Sequence, residues 1–78
     1  MFYTYIFRLA DGSIYIGFSA NLKQRIKQHK WGLVESTKNL RPIEVIFYAA
    51  FATEKLATNF EKYLKSGSGF AFRNKRLI

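Results

Sequence analysis

Five polar side chains in this sequence have the chemistry that hydrolysis of a phosphodiester bond requires. They are two tyrosines, an arginine, a histidine and a glutamate: Tyr5, Tyr15, Arg25, His29 and Glu61. An arginine offers a planar fork of N–H donors to a phosphate. A glutamate offers hard oxygen ligands to one divalent cation, and Mg²⁺ suits such a site because it keeps several of its waters. The residue types therefore favour metal-assisted attack of water on a phosphate.

The tyrosines would have to handle the proton of the attacking water. A tyrosine hydroxyl has an ordinary pKa of about 10, so it is a poor base near neutral pH unless positive charge stabilises the phenolate. Arg25 and a bound cation would supply that charge. His29, with an ordinary imidazole pKa of about 6.5, would take or relay the proton. The residues alone leave open whether Tyr5 or Tyr15 is the base.

The segments that carry these residues are predicted to form a small α+β domain, a three-stranded antiparallel sheet flanked by helices. Runs of aromatic and β-branched residues predict the strands, and Ser19 and Thr53 are predicted to cap the helices. The predicted elements are strands at 2–9, 13–18 and 43–48, the last continuing towards Ala50, helices at about 20–31 and 54–65, a loop at 33–41 and a short basic C-terminal helix or tail at 70–78. The predicted order is β-β-α-β-α plus the C-terminal segment, within one domain over residues 1–78.

Helical periodicity places the candidate residues beside the predicted buried stripes of the two helices. In the first helix, Leu22 and Ile26 form the apolar stripe, and Arg25 and His29 border it. The predicted core stripe of the second helix consists of Leu56, Phe60, Tyr63 and Leu64. Glu61 lies at the edge of that stripe. These polar groups are therefore expected to be half-buried, as in a functional site.

The turn between the first two strands decides whether the tyrosines share a site. Side chains alternate between the faces of a strand, so a shift of one residue moves each side chain to the other face. A two-residue Asp11-Gly12 turn would put Tyr5 and Tyr15 on opposite faces. A three-residue loop with a left-handed Gly12 and a bulge would place Tyr5 opposite Gly17 and both tyrosines on one face. In that register Gly17 would leave room beside Tyr5 for a phosphate or a metal-bound water.

The composition favours a folded protein that binds nucleic acid. Thirteen Lys and Arg residues against five Asp and Glu residues give a formal charge of +8, which favours a polyanionic partner. A hydrophobic fraction of 49% argues against disorder. The absence of cysteine excludes disulfides and thiolate zinc sites. Since no apolar run approaches the ~20 residues of a membrane span, a cytoplasmic protein without membrane contact is expected.

The motif spacing resembles that of the GIY-YIG nuclease superfamily over nearly the whole chain. The resemblance is carried by Tyr3-Thr4-Tyr5, Tyr15-Ile16-Gly17, Asn21–Arg25 and a glutamate in the second helix. It is nearest to the small single-domain branch related to the N-terminal nuclease domain of UvrC. The resemblance implies that Arg25 clamps the scissile phosphate and that Glu61 binds a single divalent cation, Mg²⁺ or Mn²⁺.

The sequence also departs from the family pattern. Tyr3 and Thr4 occupy the first two positions of the first motif, and Phe18 stands where some relatives carry a lysine. His29 stands where relatives carry Tyr or His, and Asn74 is a loose counterpart of the family asparagine. These departures leave two functions open. The first is a metal-dependent DNA endonuclease in repair or recombination. The second is a nucleic-acid-binding module with the nuclease fold but little or no catalytic activity.

Further residues are predicted to contact the phosphates of DNA. They lie on the polar face of the first helix, in the second motif and in the basic C-terminal segment: Gly17, Lys23, Lys27, Lys30, Arg73, Asn74, Lys75 and Arg76. Phosphate contacts carry no sequence information, so specificity would have to come from a homodimer or a partner protein. Each residue also has a structural reading. Glu61 and Lys65, for example, are spaced to support a helix by ~0.3 kcal/mol.

Overall fold

Three strands and three helices make up residues 1–77, the part of the chain that the computed structural model describes. The elements are β1 Phe2–Arg8, β2 Ile14–Ser19, α1 Leu22–Lys30, a 3₁₀ turn Lys38–Leu40, β3 Glu44–Phe51, α2 Glu54–Lys65 and α3 Gly67–Arg76. The predicted α+β fold with a three-stranded antiparallel sheet is confirmed. Ile78, the last residue of the predicted C-terminal segment, lies outside the described range.

The central strand β1 has β2 on one side and β3 on the other, and the sheet is covered differently on its two faces. We call the first the α1 face; it carries Tyr5, Phe7 and Tyr15, with Leu22 and Ile26 packed against its core. We call the second the α2 face; it carries Thr4, Ile6, Phe47 and Phe51, and α2 lies over it. The Thr4 hydroxyl donates a hydrogen bond of 2.6 Å to the carbonyl oxygen of Ala57. The sheet therefore separates two layers of unlike chemistry.

The start of α1 differs from the prediction. Asn21, not Ser19, is the cap, because its side-chain oxygen accepts a hydrogen bond of 3.1 Å from the Gln24 backbone N–H. The Ser19 hydroxyl instead accepts a bond of 3.0 Å from the Asn21 N–H. The helix therefore begins at Leu22, two residues after the predicted start at Ala20.

The cap predicted for α2 is confirmed, but its predicted core stripe is partly wrong. The Thr53 hydroxyl accepts a bond of 3.2 Å from the Leu56 N–H, as a helix cap does. Leu56 and Tyr63 are 52% and 41% exposed, respectively, whereas Ala57 is fully buried. The hydrogen bond from Thr4 draws the backbone of α2 close to β1 at Ala57, where only a small side chain fits.

The segment predicted as a helix or tail is helical, and it begins earlier than expected. Ser66 ends α2 and caps α3, since its hydroxyl accepts a bond of 3.2 Å from the Gly69 N–H. A Cβ atom at Gly69 would collide with the backbone of Tyr63. The glycine thus permits the tight packing of α3 on α2, and α3 begins at Gly67, three residues before the predicted start at Phe70.

Candidate active site

The hairpin register that a shared tyrosine site requires is present. Gly12 has φ 86°, and the Leu9 N–H donates 2.8 Å to the Ser13 carbonyl across a three-residue loop. In the resulting register, Tyr5 lies opposite Gly17 and Phe7 lies opposite Tyr15. Both tyrosines consequently lie on the α1 face.

The tyrosine side chains belong to one aromatic cluster. Their ring centroids are 6.4 Å apart, and Phe7 packs 4.5 Å from Tyr5 and 6.3 Å from Tyr15. Tyr5 is fully buried, whereas Tyr15 is half-buried. Of the two hydroxyl-bearing rings, therefore, Tyr15 is the one that solvent or a substrate can reach.

Arg25 is joined to this cluster from α1. Its Nε donates 3.3 Å to the Tyr5 hydroxyl, and its Nη1 donates 3.2 Å to the Gln28 side-chain oxygen. The bond to Tyr5, with a smaller influence of Tyr15, raises the pKa of the guanidinium above its ordinary value. A guanidinium has five N–H donors. The hydrogen bonds to Tyr5 and Gln28 use Nε and Nη1, which leaves the donors of Nη2 for the nearby Tyr15 hydroxyl or for a phosphate.

Burial decides the acidity of Tyr5. Removal of its hydroxyl from water raises its pKa above the ordinary value, and the hydrogen bond from Arg25 opposes this only in part. The neighbouring Tyr15 and Glu61 side chains add smaller contributions in the same upward direction. Tyr5 consequently stays protonated at neutral pH, and its hydroxyl serves as a fixed acceptor for Arg25.

His29 is deeper than its predicted half-buried position. It is fully buried, with Nδ1 2.8 Å from the hydroxyl of Thr37, which is itself fully buried. Its ring packs 5.0 Å from the Tyr15 ring and 4.8 Å from the Phe7 ring. Burial, together with the charge of Arg25, lowers its pKa to about 4. The imidazole is thus neutral at pH 7, and Nε2 is buried without a hydrogen-bond partner in the described part of the chain.

Glu61 approaches the site from α2. Its side chain is 21% exposed and one carboxylate oxygen lies 3.1 Å from the Lys65 ammonium. The carboxylate is near enough to contribute to the raised pKa of Tyr5. Residues 1–77 contain no cluster of three or more acidic, histidine or cysteine side chains that would enclose a metal ion. One half-buried carboxylate nevertheless fits a hard cation that takes its other ligands from water and phosphate.

The room predicted beside Gly17 is filled by Tyr5 itself. A Cβ atom at position 17 would overlap the hydroxyl end of the Tyr5 ring. The prediction that Gly17 leaves space for a phosphate or a metal-bound water is therefore wrong. The glycine lets the Tyr5 ring lie flat across β2 and reach Arg25.

The residues predicted to contact DNA form two separate groups. Lys23, Lys27 and Lys30 are exposed along α1. The second group lies on α3, which packs against α2; there Asn74, Lys75 and Arg76 are exposed, but the Arg73 guanidinium is half-buried 4.5 Å from the Phe70 ring. The α3 group therefore lies beside α2, and the lysine group lies along α1.

Two contacts of the site were not predicted from the sequence. Thr37 lies in the loop before β3, and the predicted polar character of that loop gave no sign that its hydroxyl binds His29. Phe18 pairs with Thr4 in the sheet register and stacks 6.3 Å from Phe2. The position that is lysine in some relatives is thus built into the apolar α2 face here.

Comparison with known proteins identifies the family of this chain. The model of the GIY-YIG catalytic domain matches residues 1–75, and the chain belongs to this family. Its relatives are the UPF0213 proteins, small single-domain members of the family. A UPF0213 protein of Bacillus pumilus is 34% identical over 82% of this chain and 66% of its own length. A UPF0213 protein of Staphylococcus saprophyticus is 33% identical over 96% of this chain and 88% of its own.

A solved structure supports the fold as well. The solution NMR structure of a UPF0213 protein from Bacillus halodurans has a TM-score of 0.60, with 27% identity, over 99% of this chain and 87% of that one. This chain spans 66% of the length of the Bacillus pumilus protein, which is therefore about half as long again as the matched region. Within residues 1–77, no helix is both long and apolar enough to cross a membrane. The family suggests nuclease activity on nucleic acid.

Proposed function

We propose that this chain is a metal-dependent endonuclease that hydrolyses phosphodiester bonds of DNA in the cytoplasm, in repair or recombination. One observation carries the proposal. The guanidinium of Arg25 donates a hydrogen bond from Nε to the Tyr5 hydroxyl, has further N–H donors on Nη2, and lies close to the hydroxyl of Tyr15. The positively charged guanidinium of Arg25 and the hydroxyl of Tyr15, which we take as the proton acceptor, therefore lie side by side where both are partly exposed.

Arg25 would bind the scissile phosphate. Its Nε is fixed by Tyr5 and its Nη1 by Gln28, so the plane of the guanidinium is set before a substrate arrives. A preorganised donor is worth more to a developing negative charge than one that must reorient. In this scheme Tyr5 positions Arg25 and does not itself accept a proton.

Tyr15 would accept or shuttle the proton of the attacking water. It is the more exposed of the two tyrosines, and its hydroxyl lies near the Arg25 guanidinium. For His29 we propose a positioning role in place of the predicted relay, because a buried imidazole with a pKa of about 4 is a weak base at neutral pH. In that role, the imidazole packs edge-to-face against the Tyr15 ring, 5.0 Å away, and so fixes its position.

Glu61 would hold one Mg²⁺ or Mn²⁺ ion through its carboxylate. Such an ion, when bound, polarises the phosphate and lowers the pKa of its water. The lysines of α1 would track the phosphates of the DNA backbone. Because phosphate contacts alone do not read sequence, a homodimer or a partner protein would supply any specificity.

A nucleic-acid-binding module without activity is the second candidate. It is favoured by Thr4, whose hydroxyl is committed to Ala57 in the apolar layer, and by the lack of a second acidic metal ligand in residues 1–77. Such a module would bind DNA through its basic surface and leave it uncut.

The test is cleavage of supercoiled and branched DNA with Mg²⁺ or Mn²⁺, comparing wild type, Glu61→Gln and Lys65→Gln. The two variants disrupt the same ion pair of 3.1 Å, but only the first removes the carboxylate charge. We expect Glu61→Gln to lose about 100-fold or more of the activity, and Lys65→Gln to keep it.

Three outcomes would contradict the proposal of a metal-dependent endonuclease. Equal residual cleavage by all three proteins would identify a contaminating nuclease. Binding of DNA without cleavage by the wild type would establish the module. Equal losses in both variants would show that the ion pair, and not a metal on the carboxylate, supports the site.

A further inference from the structure

A pocket of about 440 Å³ adjoins the candidate active site on the α1 face. Leu22 and Ile26, which pack on the core, contribute apolar surface to it, and Tyr3, Tyr48 and Lys23 also line it. Its size falls within the range of about 300–1,000 Å³ that is usual for ligand pockets. None of the catalytic roles proposed above uses these residues.

The two tyrosines of the pocket present uncovered aromatic surface. Tyr48 is 58% exposed, and Tyr3 is half-buried. Across the described residues, neither ring is stacked on another aromatic side chain. Tyr3 lies opposite Ala50 in the sheet, so Tyr48 is its diagonal neighbour on the same face. Such neighbours have Cα atoms about 7–8 Å apart, within reach of one flat ligand.

The charge of the pocket fits an anionic chain. Lys23 is exposed at the pocket, and the lining includes no Asp or Glu. The side-chain oxygen of Asn21 is engaged by the Gln24 N–H, so its amide nitrogen is the group left to donate to a ligand. Aromatic rings beside basic groups are the usual means of binding a single strand of nucleic acid, whose bases stack and whose phosphates are neutralised.

The pocket is also placed next to the proposed chemistry. Tyr48 lies opposite Tyr5 in the register of β1 and β3. Leu22 and Ile26 flank Arg25 along α1, so a strand that follows the pocket passes the guanidinium. The pocket and the phosphate clamp thus occupy neighbouring positions on one continuous surface.

We propose that this pocket receives an unpaired base of the DNA substrate, stacked on Tyr48, with Lys23 beside its phosphate. The inference rests on the proposed function and narrows its substrate to DNA with a single-stranded nucleotide next to the scissile bond. Stacking on a tyrosine does not depend on base identity, so the pocket selects strand structure and not sequence.

The test measures binding without cleavage. Fluorescence anisotropy in EDTA would compare a labelled single-stranded oligonucleotide with the blunt duplex of the same sequence, for wild type, Tyr48→Ala and Tyr48→Phe. The expected result is a loss of about 5- to 150-fold in single-strand affinity for Tyr48→Ala, the range for one stacked base. Tyr48→Phe keeps the ring and the affinity, and duplex affinity stays unchanged in both variants.

The matched control is Tyr63→Ala, which removes another exposed tyrosine, 41% exposed, from α2. It should leave single-strand affinity unchanged. A second measurement places 2-aminopurine in the single strand; its fluorescence should be quenched by wild type and by Tyr48→Phe, but not by Tyr48→Ala. Circular dichroism would check that each variant is folded.

Other results would overturn the inference. They are an equal loss for Tyr48→Ala and Tyr63→Ala, an equal loss on single-stranded and duplex DNA, or unquenched 2-aminopurine with the wild type. These results do not depend on cleavage. Failure of the stacking site with cleavage intact would leave the proposed function standing, and stacking without cleavage would support the pocket while removing the endonuclease.

Discussion

The two faces of the sheet are built for different purposes. The α1 face buries groups that stability alone would disfavour: a tyrosine hydroxyl bonded to a guanidinium and an imidazole with one unpartnered nitrogen. The α2 face is lined mainly by Phe and Ile side chains, and its hydroxyl at Thr4 is satisfied by a backbone carbonyl. Buried polar groups reduce stability unless they are paired. The comparison teaches that the α1 face of β1 combines the main apolar cluster with the polar groups of the candidate site, whereas the α2 face of β1 contributes packing alone.

The largest expected effect is the loss of DNA cleavage when Arg25, the proposed phosphate ligand on the α1 face, is replaced. Arg25→Ala should reduce DNA cleavage by about 100-fold or more, because a preorganised donor is lost. Lys27→Ala removes an exposed cation from the same helix and should change cleavage only slightly. Cleavage rates of the two variants on one branched DNA would measure the difference. If both lose activity equally, Arg25 contributes only general positive charge and the distinction between the faces fails.

The next effect concerns the packing of Tyr5 against β2. Gly17→Ala should lower the free energy of unfolding by about 1–3 kcal/mol, the usual range for overpacking, because the new methyl group overlaps the Tyr5 ring. Gly67→Ala is the control, since a Cβ at that position meets nothing within 4 Å. Urea unfolding of both variants is the measurement. If Gly17→Ala is as stable as Gly67→Ala, the Tyr5 ring can move away from position 17 with little change in the free energy of unfolding.

The buried histidine predicts a pH dependence. The pKa of His29 is about 4 in the folded protein and about 6.5 in an unfolded chain. The unfolded chain therefore binds more protons between these values. Stability is fully present above pH ~6.5 and falls, by at most about 1.4 kcal/mol per pH unit, as the pH drops towards 4.

Urea unfolding across this pH range would test the role of His29, with His29→Gln expected to flatten the slope. Asp11→Asn is the control. The hydroxyl and N–H of Ser13 hold the pKa of the Asp11 carboxyl below 3.8. The contribution of Asp11 to stability is therefore lost only below the pH range in which His29 acts. A slope that survives in His29→Gln would assign the pH dependence to another group.

The smallest effect is expected on the α2 face. Thr4→Val keeps the shape of the side chain but removes the buried hydrogen bond to Ala57, which should lower the free energy of unfolding by about 1 kcal/mol. DNA cleavage should be unchanged, because Thr4 contributes packing and no chemistry. A loss of cleavage larger than the loss of stability would show that the two faces are coupled through β1.

Local signals in the sequence determined the main outline of this protein. Asp11-Gly12 between two aromatic runs specified a hairpin, and the need to bring the tyrosines together selected the three-residue register that the structure has. Thr53 marked the start of α2, and the spacing of Arg25 and His29 placed both beside the apolar stripe of α1. Such features depend on neighbours a few residues apart, which is why they could be read without a structure.

Tertiary contacts decided what each of these residues can do. The Tyr5 ring fills the space that Gly17 was expected to leave open, because its hydroxyl reaches Arg25 across β2. Thr37 binds His29 only because its loop folds back over α1, and Ala57 replaces Leu56 in the core only because α2 approaches β1 closely. Burial also separated two otherwise equivalent tyrosines into a fixed acceptor and a reachable hydroxyl. Exposure and pKa arise from residues distant in the chain, so the sequence alone could not distinguish Tyr5 from Tyr15.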